Sequence, residues 1–515
     1  MNGLPPLPYA DGIQKQRGLN FRGYDHTLSA SEGAAWDMEN MTSEHYPVIA
    51  PRGPRRKVYT VANPNGLYAR DGLYWADGAG FYKDGVYIGP VTDSVKTFGS
   101  LLHFIVILPD KKYYNTVTGE FGAMDAQYIS GAGQIKFSDG TYAGESAKAN
   151  TITTTGPAFP FKVGDAVFIT GCTVHTANNT CPIIREISGN GKVLSFYEYT
   201  FDLGNKHYVS ERGTVNIGTN TITTTGPAFP FAAGELVTVM GSTKNGNNKT
   251  VTISSVTNSN RTLNFPAGTF TANEEPGFIT IDGAATGYIE PGAITFRREM
   301  PDMDFLCENE NRLWGCKGSS VYASKLGDIM NWNVFDGLET DSFAVDVGSA
   351  GDFTGCCSFL GYPCFFKEER IYKMYGTRPS NFQLMGAATL GVAAGSSRSL
   401  AIAGETLFYL SRSGIVAYNG GFPHSVAAAF GDVKYADAAG GSDGLKYYVS
   451  MKSETGYALF VYDTRNGMWM REDETQAVAF GWNKGLYFLR SGGIWATHSG
   501  QLTMDNGQWT VIYRQ

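Results

Sequence analysis

Apolar and polar positions alternate in short runs along most of this chain, and Gly, Asp and Asn break the runs before any reaches helical length. Residues 57–63 (KVYTVAN), 66–89 (GLYARDGLYWADGAGFYKDGVYIG) and 95–121 (VKTFGSLLHFIVILPDKKYYNTVTGEF) carry the two-residue period of half-buried strands. Within them, DGLYWADG and KDGVYIG place Asp-Gly between β-rich runs, the chemistry of tight hairpin turns. The texture returns after residue 300 in DFLCENENRLWGCKG, CSFLGYPCFFKEERIYKMYG, SLAIAGETLFYLSRSGIVAYNGG, LKYYVSMKSETGYALFVYDTRNGMWMRED and AVAFGWNKGLYFLRSGGIWATHSG. The blocks recur about every forty to fifty residues, the footprint of four short antiparallel strands making one propeller blade. Two blocks before the middle of the chain and five after it predict an all-β, β-propeller-like platform of six or seven blades, complete or incomplete. No Trp-Asp pair recurs at a fixed place, so a β-sandwich or several stacked sheets is the alternative architecture.

The middle of the chain is different. Twelve residues, NTITTTGPAFPF, occur at 150–161 and again unchanged at 220–231. Each copy runs on into GDAVFITG (164–171) or GELVTVMG (234–241) and then an Asn-rich turn at Asn178 and Asn179 or at Asn247 and Asn248. Two copies are too few for a solenoid, so the pair reads as an insertion into a host. Short strands around the acidic turns Gly164-Asp165 and Gly234-Glu235 suggest a tandem pair of small β-barrels of the SH3-like or OB-like type. The expected organisation is an N-terminal arm (1–56), a leading propeller segment (57–131), barrel 1 (132–213), barrel 2 (214–297) and a closing propeller segment (298–515).

Composition supports the β reading. The chain has 64 Gly, 29 Tyr, 31 Phe and 8 Trp, and its 13% aromatic content is high beside only 17% charged residues, as suits pleated surfaces joined by tight turns. A net charge of −7 argues against holding nucleic acid by phosphate neutralisation. The densest basic patch, Arg52, Arg55, Arg56 and Lys57, reads as a solvated arm. That arm is irregular and Pro-rich, with one short helix expected over residues 29–38, where Ser29 and Glu32 make a capping box. It is expected to pack along its own body or a neighbouring subunit. The start of the sequence shows no secretory signal, and no apolar run is long enough to span a membrane. The seven Cys lack CxxC spacing and read as reduced thiols, with a Cys172–Cys181 bridge as the alternative.

Candidate chemistry is sparse. His26, His45, His103, His175, His207, His424 and His498 show no metal-ligand spacing. The string GGSDG around Ser442 matches a nucleophile elbow, but a strand follows where a helix is needed. Glu368 and Glu369 are candidates for a sugar-hydrolysing pair, yet neighbours on a strand point to opposite faces. Asp302 with Asp304, and Asp336 with Glu339 and Asp341, are acidic clusters without calcium-loop spacing. Tyr68, Tyr74, Tyr82, Trp469 and Trp482 read as packing aromatics. The chain is accordingly read as a non-enzyme with no cofactor and no metal.

The segment GLNFRGYDHTLSASEGAAWDMENMTSEHYPVIAPRGPRR resembles the opening of tail nozzle or tail-stabilisation proteins of short-tailed bacteriophages. The matching elements are Gly18-Leu19-Asn20, Asn40-Met41, Tyr46-Pro47 and Pro51-Arg52, and the stretches at 312–337 and 373–386 resemble blade segments of such virion proteins. The resemblance implies a structural subunit of the virion tail, assembled in the host cytoplasm into a homo-oligomeric ring, commonly sixfold, through which genomic DNA passes. It implies a portal-proximal adaptor and tail fibre or spike proteins as neighbours, and an assembly arm containing Asn40, Pro47, Pro51, Arg52 and Arg55. An acidic wall would let DNA slide, so a neutral or acidic channel surface is expected. The rival readings are a carbohydrate- or receptor-binding tail adhesin and a propeller-type polysaccharide hydrolase.

Overall fold

The computed structural model describes residues 21–497, except 31, 49, 142–147, 210–214, 219, 271–272, 278 and 285–286, together with the paired strands Gln501–Asp505 and Gln508–Ile512. Among the described residues there are strands, turns and short 3-10 segments but no α-helix. The chain divides into two units, 1–124 with 300–515, and 125–299.

Among its described residues the first unit contains seven four-stranded antiparallel sheets. They begin with the strands Pro64–Ala69, Thr97–Leu101, Phe305–Asn309, Gly355–Phe359, Ala401–Ala403, Ala436–Ser442 and Ala479–Trp482, in that order. Six of them are local meanders with their strands in chain order, the first built on Asp-Gly turns. At one such turn Asp84 and Gly85 both have positive φ (46° and 90°), matching the hairpin twist between Gly80–Lys83 and Val86–Pro90. The seventh sheet is not local. Its three C-terminal strands end in Gly493–Ala496, and the fourth is Arg56–Tyr59, paired there through Tyr59 and Ile494.

Each sheet packs on the next through an apolar cluster, and one cluster joins the fifth, sixth and seventh. Tyr74, Phe81, Ile105 and Ile107 join the first and second, and Trp314, Phe365 and Tyr372 join the third and fourth. Leu67, Trp75, Leu489 and Ile494 join the seventh back to the first, so the packing is cyclic. Burying a ring such as Tyr74, Tyr409 or Tyr447 completely contributes roughly 2 kcal/mol apiece, so these seams hold the unit together. Gly440 and Gly441 sit at such a seam: a Cβ on Gly441 would lie 2.4 Å from the Cβ of Phe480. The GGSDG string is thus a close-packed strand followed by a turn, which the Ser442 hydroxyl caps by accepting the Gly444 N–H at 2.9 Å.

The insertion departs from a tandem arrangement. Its first module combines the sheet Ala126–Ile129, Thr295–Arg298, Phe168–Thr170 with a five-stranded sheet in which Gly287–Glu290 is an edge. Its second module lies wholly between Asn205–Val209 and Thr280–Ala284, which pair with each other. The second module is therefore nested in the first, between Val193–Tyr197 and Gly287–Glu290. The boundaries 132–213 and 214–297 follow the spacing of the repeated phrase, which marks only one side of each module. The two copies do the same work. Tyr128 and Thr154 share a buried hydrogen bond at 2.6 Å, as Tyr208 and Thr224 do at 2.7 Å. Asn150 accepts the Phe201 N–H at 3.0 Å, and Asn220 accepts that of Thr269 at 2.9 Å.

Among the described residues of 29–38 no helix forms. That segment instead supplies Ala34–Ala35, paired in parallel with Gly23–Tyr24, while the His26 ring packs tilted against Trp36 with centroids 4.1 Å apart.

Candidate functional site

Three of the arm residues singled out in the sequence, Asn40, Arg52 and Arg55, converge on one edge of the sixth sheet. Its outer strand, Met468–Asp473, pairs with Gly456–Asp463, and the register slips by one residue so that Leu459 faces Asp473 while Phe460 faces Arg471. Glu472 is the extra residue. A bulge of this kind re-aims side chains that would otherwise alternate, which brings Glu472 and Asp473 within reach of a single partner. That partner is Arg55, whose Nη2 lies 2.5 Å from Glu472 Oε2 and whose Nη1 lies 2.6 Å from Asp473 Oδ2. Its guanidinium also donates to Thr475 Oγ1 at 2.8 Å and lies over the Phe488 ring. Arg52 joins at 3.3 Å from Asp473 and 3.7 Å from Glu472.

The bulge also leaves a backbone acceptor for the arm. Asn40, at φ 57°, donates its N–H to Glu472 O at 2.7 Å and accepts the Arg52 N–H at 2.8 Å, so it bridges two segments of chain. Pro47 follows a cis bond, and Pro51 ends the short strand Ala50–Pro51 opposite Met41. Ser43 donates to Asp463 at 2.5 Å, and Asp463 has no solvent exposure.

Arg52 and Arg55 are therefore not a solvated basic patch. With side chains 16% and 7% exposed, they are the cationic half of a buried ion-pair network. Burial raises the Asp473 pKa, but the Arg55 charge and hydrogen bonds from Thr475 outweigh it and hold the carboxyl below its ordinary value. Sequence reasoning missed Glu472, Asp473, Asp463 and Ser43. The one signal was the charged triplet Arg471-Glu472-Asp473 closing an apolar strand in a chain poor in charge.

The barrel turns are structural. Gly164 and Gly234 take left-handed φ of 93° and 87°. Asp165 is buried, accepts the Lys162 N–H at 2.8 Å and is ion-paired with Arg298 at 2.5 Å. Glu235 is buried in the matching turn, and strand register puts Gly283 where the first module has Arg298.

The acidic candidates are engaged separately. Glu368 accepts the Ala394 N–H at 3.2 Å, while Glu369 pairs with Arg412. Asp302 pairs with Lys111 at 2.7 Å, Asp304 with Lys317 at 3.5 Å and Glu339 with Arg378, and Asp341 accepts the Leu338 N–H at 2.9 Å. Each cysteine, Cys172 and Cys181 included, is a free thiol. Among the described residues no group of three His, Cys, Asp or Glu is placed to hold a metal ion. No helix among them is long and apolar enough to cross a membrane.

Two cavities lie in the first unit. One, of about 250 Å³, has walls from six of the seven sheets, including Leu67, Phe98, Leu306, Cys356, Gly440 and Phe480, and from the turn leading into the fifth, with Arg398 and Leu400. The other, of about 370 Å³, lies between the third and fourth sheets and is lined by Trp314, Tyr362, Tyr375 and Phe382.

No family model matches the chain. No curated protein matches it. Among solved structures it is similar to PorZ, a surface component of the type-IX secretion system of Porphyromonas gingivalis, at 13% identity and a TM-score of 0.24 over 84% of this chain. The chain spans 42% of the length of PorZ. A putative 6-phosphogluconolactonase from Bacteroides fragilis is similar at 12% identity and a TM-score of 0.27, covering 69% of this chain and 87% of that one. The endosialidase of phage phi92 is similar at 10% identity and a TM-score of 0.17, covering 76% and 69%. Similarity this low carries no argument about activity.

Proposed function

We propose that this chain is a structural subunit of a bacteriophage tail, a ring-forming nozzle or adaptor protein. Its seven cyclically packed sheets are the blades of a β-propeller platform, closed by Arg56–Tyr59, and its nested pair of small barrels is an accessory insertion. One observation carries the reading. The phrase on which the resemblance rests is the phrase the fold uses, because Asn40, Arg52 and Arg55 clamp the arm onto the sixth sheet. A sequence fixed by that clamp serves architecture, and the acidic candidates for chemistry are tied into separate pairs and turns. The cavity along the propeller axis is about 250 Å³, room for a small molecule and not for a duplex. A DNA conduit in this reading lies between copies of the chain.

Immunogold labelling of virions from cells carrying the gene tests the proposal. Gold on the tail supports it, and virions that lack the chain overturn it. The adhesin reading has one observation of its own, the half-exposed Tyr362 and Tyr375 rings, 4.9 Å apart at the edge of the 370 Å³ cavity. Specific glycan-array binding that is lost on replacing both tyrosines by alanine would favour it.

A further inference from the structure

Among the described residues, Arg398 is a sheltered cation with a single hydrogen-bond acceptor, the Val478 carbonyl. It stands in a 3-10 turn at Ser397–Ser399, just before the first strand of the fifth sheet, and lines the 250 Å³ axial cavity. Its Nη1 donates to Val478 O at 3.1 Å. Among the described residues no carboxylate lies within ion-pair distance of it.

Other cations sheltered in this unit are treated differently. Arg55 has two carboxylates. The Arg312 guanidinium donates to the carbonyls of Ser324, Glu339 and Asp341. Lys96, which lines the same cavity, is held by Asp110, Thr92 and Ser94. A guanidinium has five donors in a planar fork, and one carbonyl leaves the fork largely unfilled. Burial lowers the Arg398 pKa, with only the more distant Asp437 opposing. Asp437 itself accepts the Tyr457 hydroxyl. A charge this sheltered is ordinarily paired.

The rest of the cavity fixes the kind of anion. Its walls include Tyr68, Phe98, Phe305, Leu306, Leu400 and Phe480, which suit an apolar body better than a hydrated ion. A carboxylate fits the fork in bidentate fashion and leaves its body against the rings.

We propose that the axial cavity binds a small carboxylate with an apolar body, held by the Arg398 guanidinium. The inference is independent of the tail assignment, since it concerns the inside of one subunit. Isothermal titration of the full chain with benzoate, acetate, inorganic phosphate and N-acetylaspartate amide tests it. Benzoate binds one to one and more tightly than acetate or phosphate, and Arg398→Met weakens it about tenfold or more. The surface variant Arg412→Met leaves binding unchanged. Tighter binding of the blocked aspartate than of benzoate overturns the proposal, since that probe has no apolar body. Failure of all four probes to bind, phosphate binding best, or equal benzoate affinity in Arg398→Met overturns the proposal. If Arg398→Met does not fold, a crystal of the unaltered chain soaked with bromobenzoate decides. Bromine signal in the axial cavity with the carboxylate on Arg398 supports the site, and signal elsewhere alone overturns it.

Discussion

Replacing Arg55 with methionine removes the centre of the arm clamp while keeping most of its apolar stem. Arg55 is 7% exposed and satisfies Glu472, 8% exposed, and Asp473, 21% exposed, at 2.5 and 2.6 Å. The variant leaves two adjacent, sheltered carboxylates facing one another. Breaking a buried pair by deleting one partner costs about 3–5 kcal/mol, mostly for the charge left behind. Arg52 remains at 3.3 and 3.7 Å and offsets part of this, so the expected loss is about 3 kcal/mol. Urea unfolding followed by tryptophan fluorescence measures it, and limited proteolysis reports whether residues 21–56 detach first. Adding Glu472→Gln and Asp473→Asn to the variant restores some of the loss, because the stranded charges are gone. The pH dependence has a definite sign. Asp473 is depressed when folded, so its stabilisation is complete above the ordinary carboxylate range and is lost as pH falls through that range toward the folded value. Arg55→Met flattens this acid limb. A loss below about 1 kcal/mol, the range of a solvent-screened surface pair, refutes the clamp.

Asp463 is held down to about 2: burial pushes it up, but hydrogen bonds from Arg465 and Ser43 prevail. Its contribution, about 2 kcal/mol, is complete above its ordinary 3.8 and lost as pH falls toward about 2, and acid titration of Ser43→Ala shows a smaller loss over that window. Tyr128→Phe removes the buried hydrogen bond to Thr154 and costs about 1 kcal/mol in thermal unfolding, while Tyr208→Phe removes the equivalent bond to Thr224 and a second, to Pro227 O at 3.1 Å, and costs more. Excising residues 205–284 and joining the ends with a short Gly-Ser linker leaves the first module folded by circular dichroism, since Asn205 and Ala284 are paired neighbours. Excising residues 132–213 instead removes strands of both modules and unfolds the insertion.

The hairpins were legible because their causes are local. Asp84-Gly85 has the φ preferences of its turn whatever surrounds it, and two-residue alternation marks the half-buried strands on either side. The closure by Arg56–Tyr59 was not legible, because a strand with three exposed residues out of four shows no affinity for a partner over 430 residues away. The same limit hid the nesting. Asn150 and Asn220 mark equivalent turns, but the strands Gly287–Glu290 and Thr295–Arg298 that complete the first module carry no copy of the phrase. The bulge at Glu472 was hidden because strict alternation places Glu472 and Asp473 on opposite faces, and only strand register reveals that they share one.

The clamp also explains why the sixth sheet can be the most extensive in the unit. Its strands run to 7, 8, 8 and 6 residues, and its outer strand begins Met468-Trp469-Met470, an apolar edge that would invite pairing with another chain. The neighbouring fifth sheet blunts its edge by shortness, ending in the two residues His424–Ser425, and the seventh carries Arg56 and Lys57 on its outer strand. The sixth uses the arm. Tyr24 and Met38 pack into the core that holds Met468, Trp469 and Met470, while Asn40 caps the carbonyl that the bulge exposes. A buried ion-pair network is a weak source of net stability, but it is geometrically demanding, and Arg55 can meet both carboxylates only when the arm lies in one register along that edge. The apolar contacts hold the arm down and the charges fix where it lies.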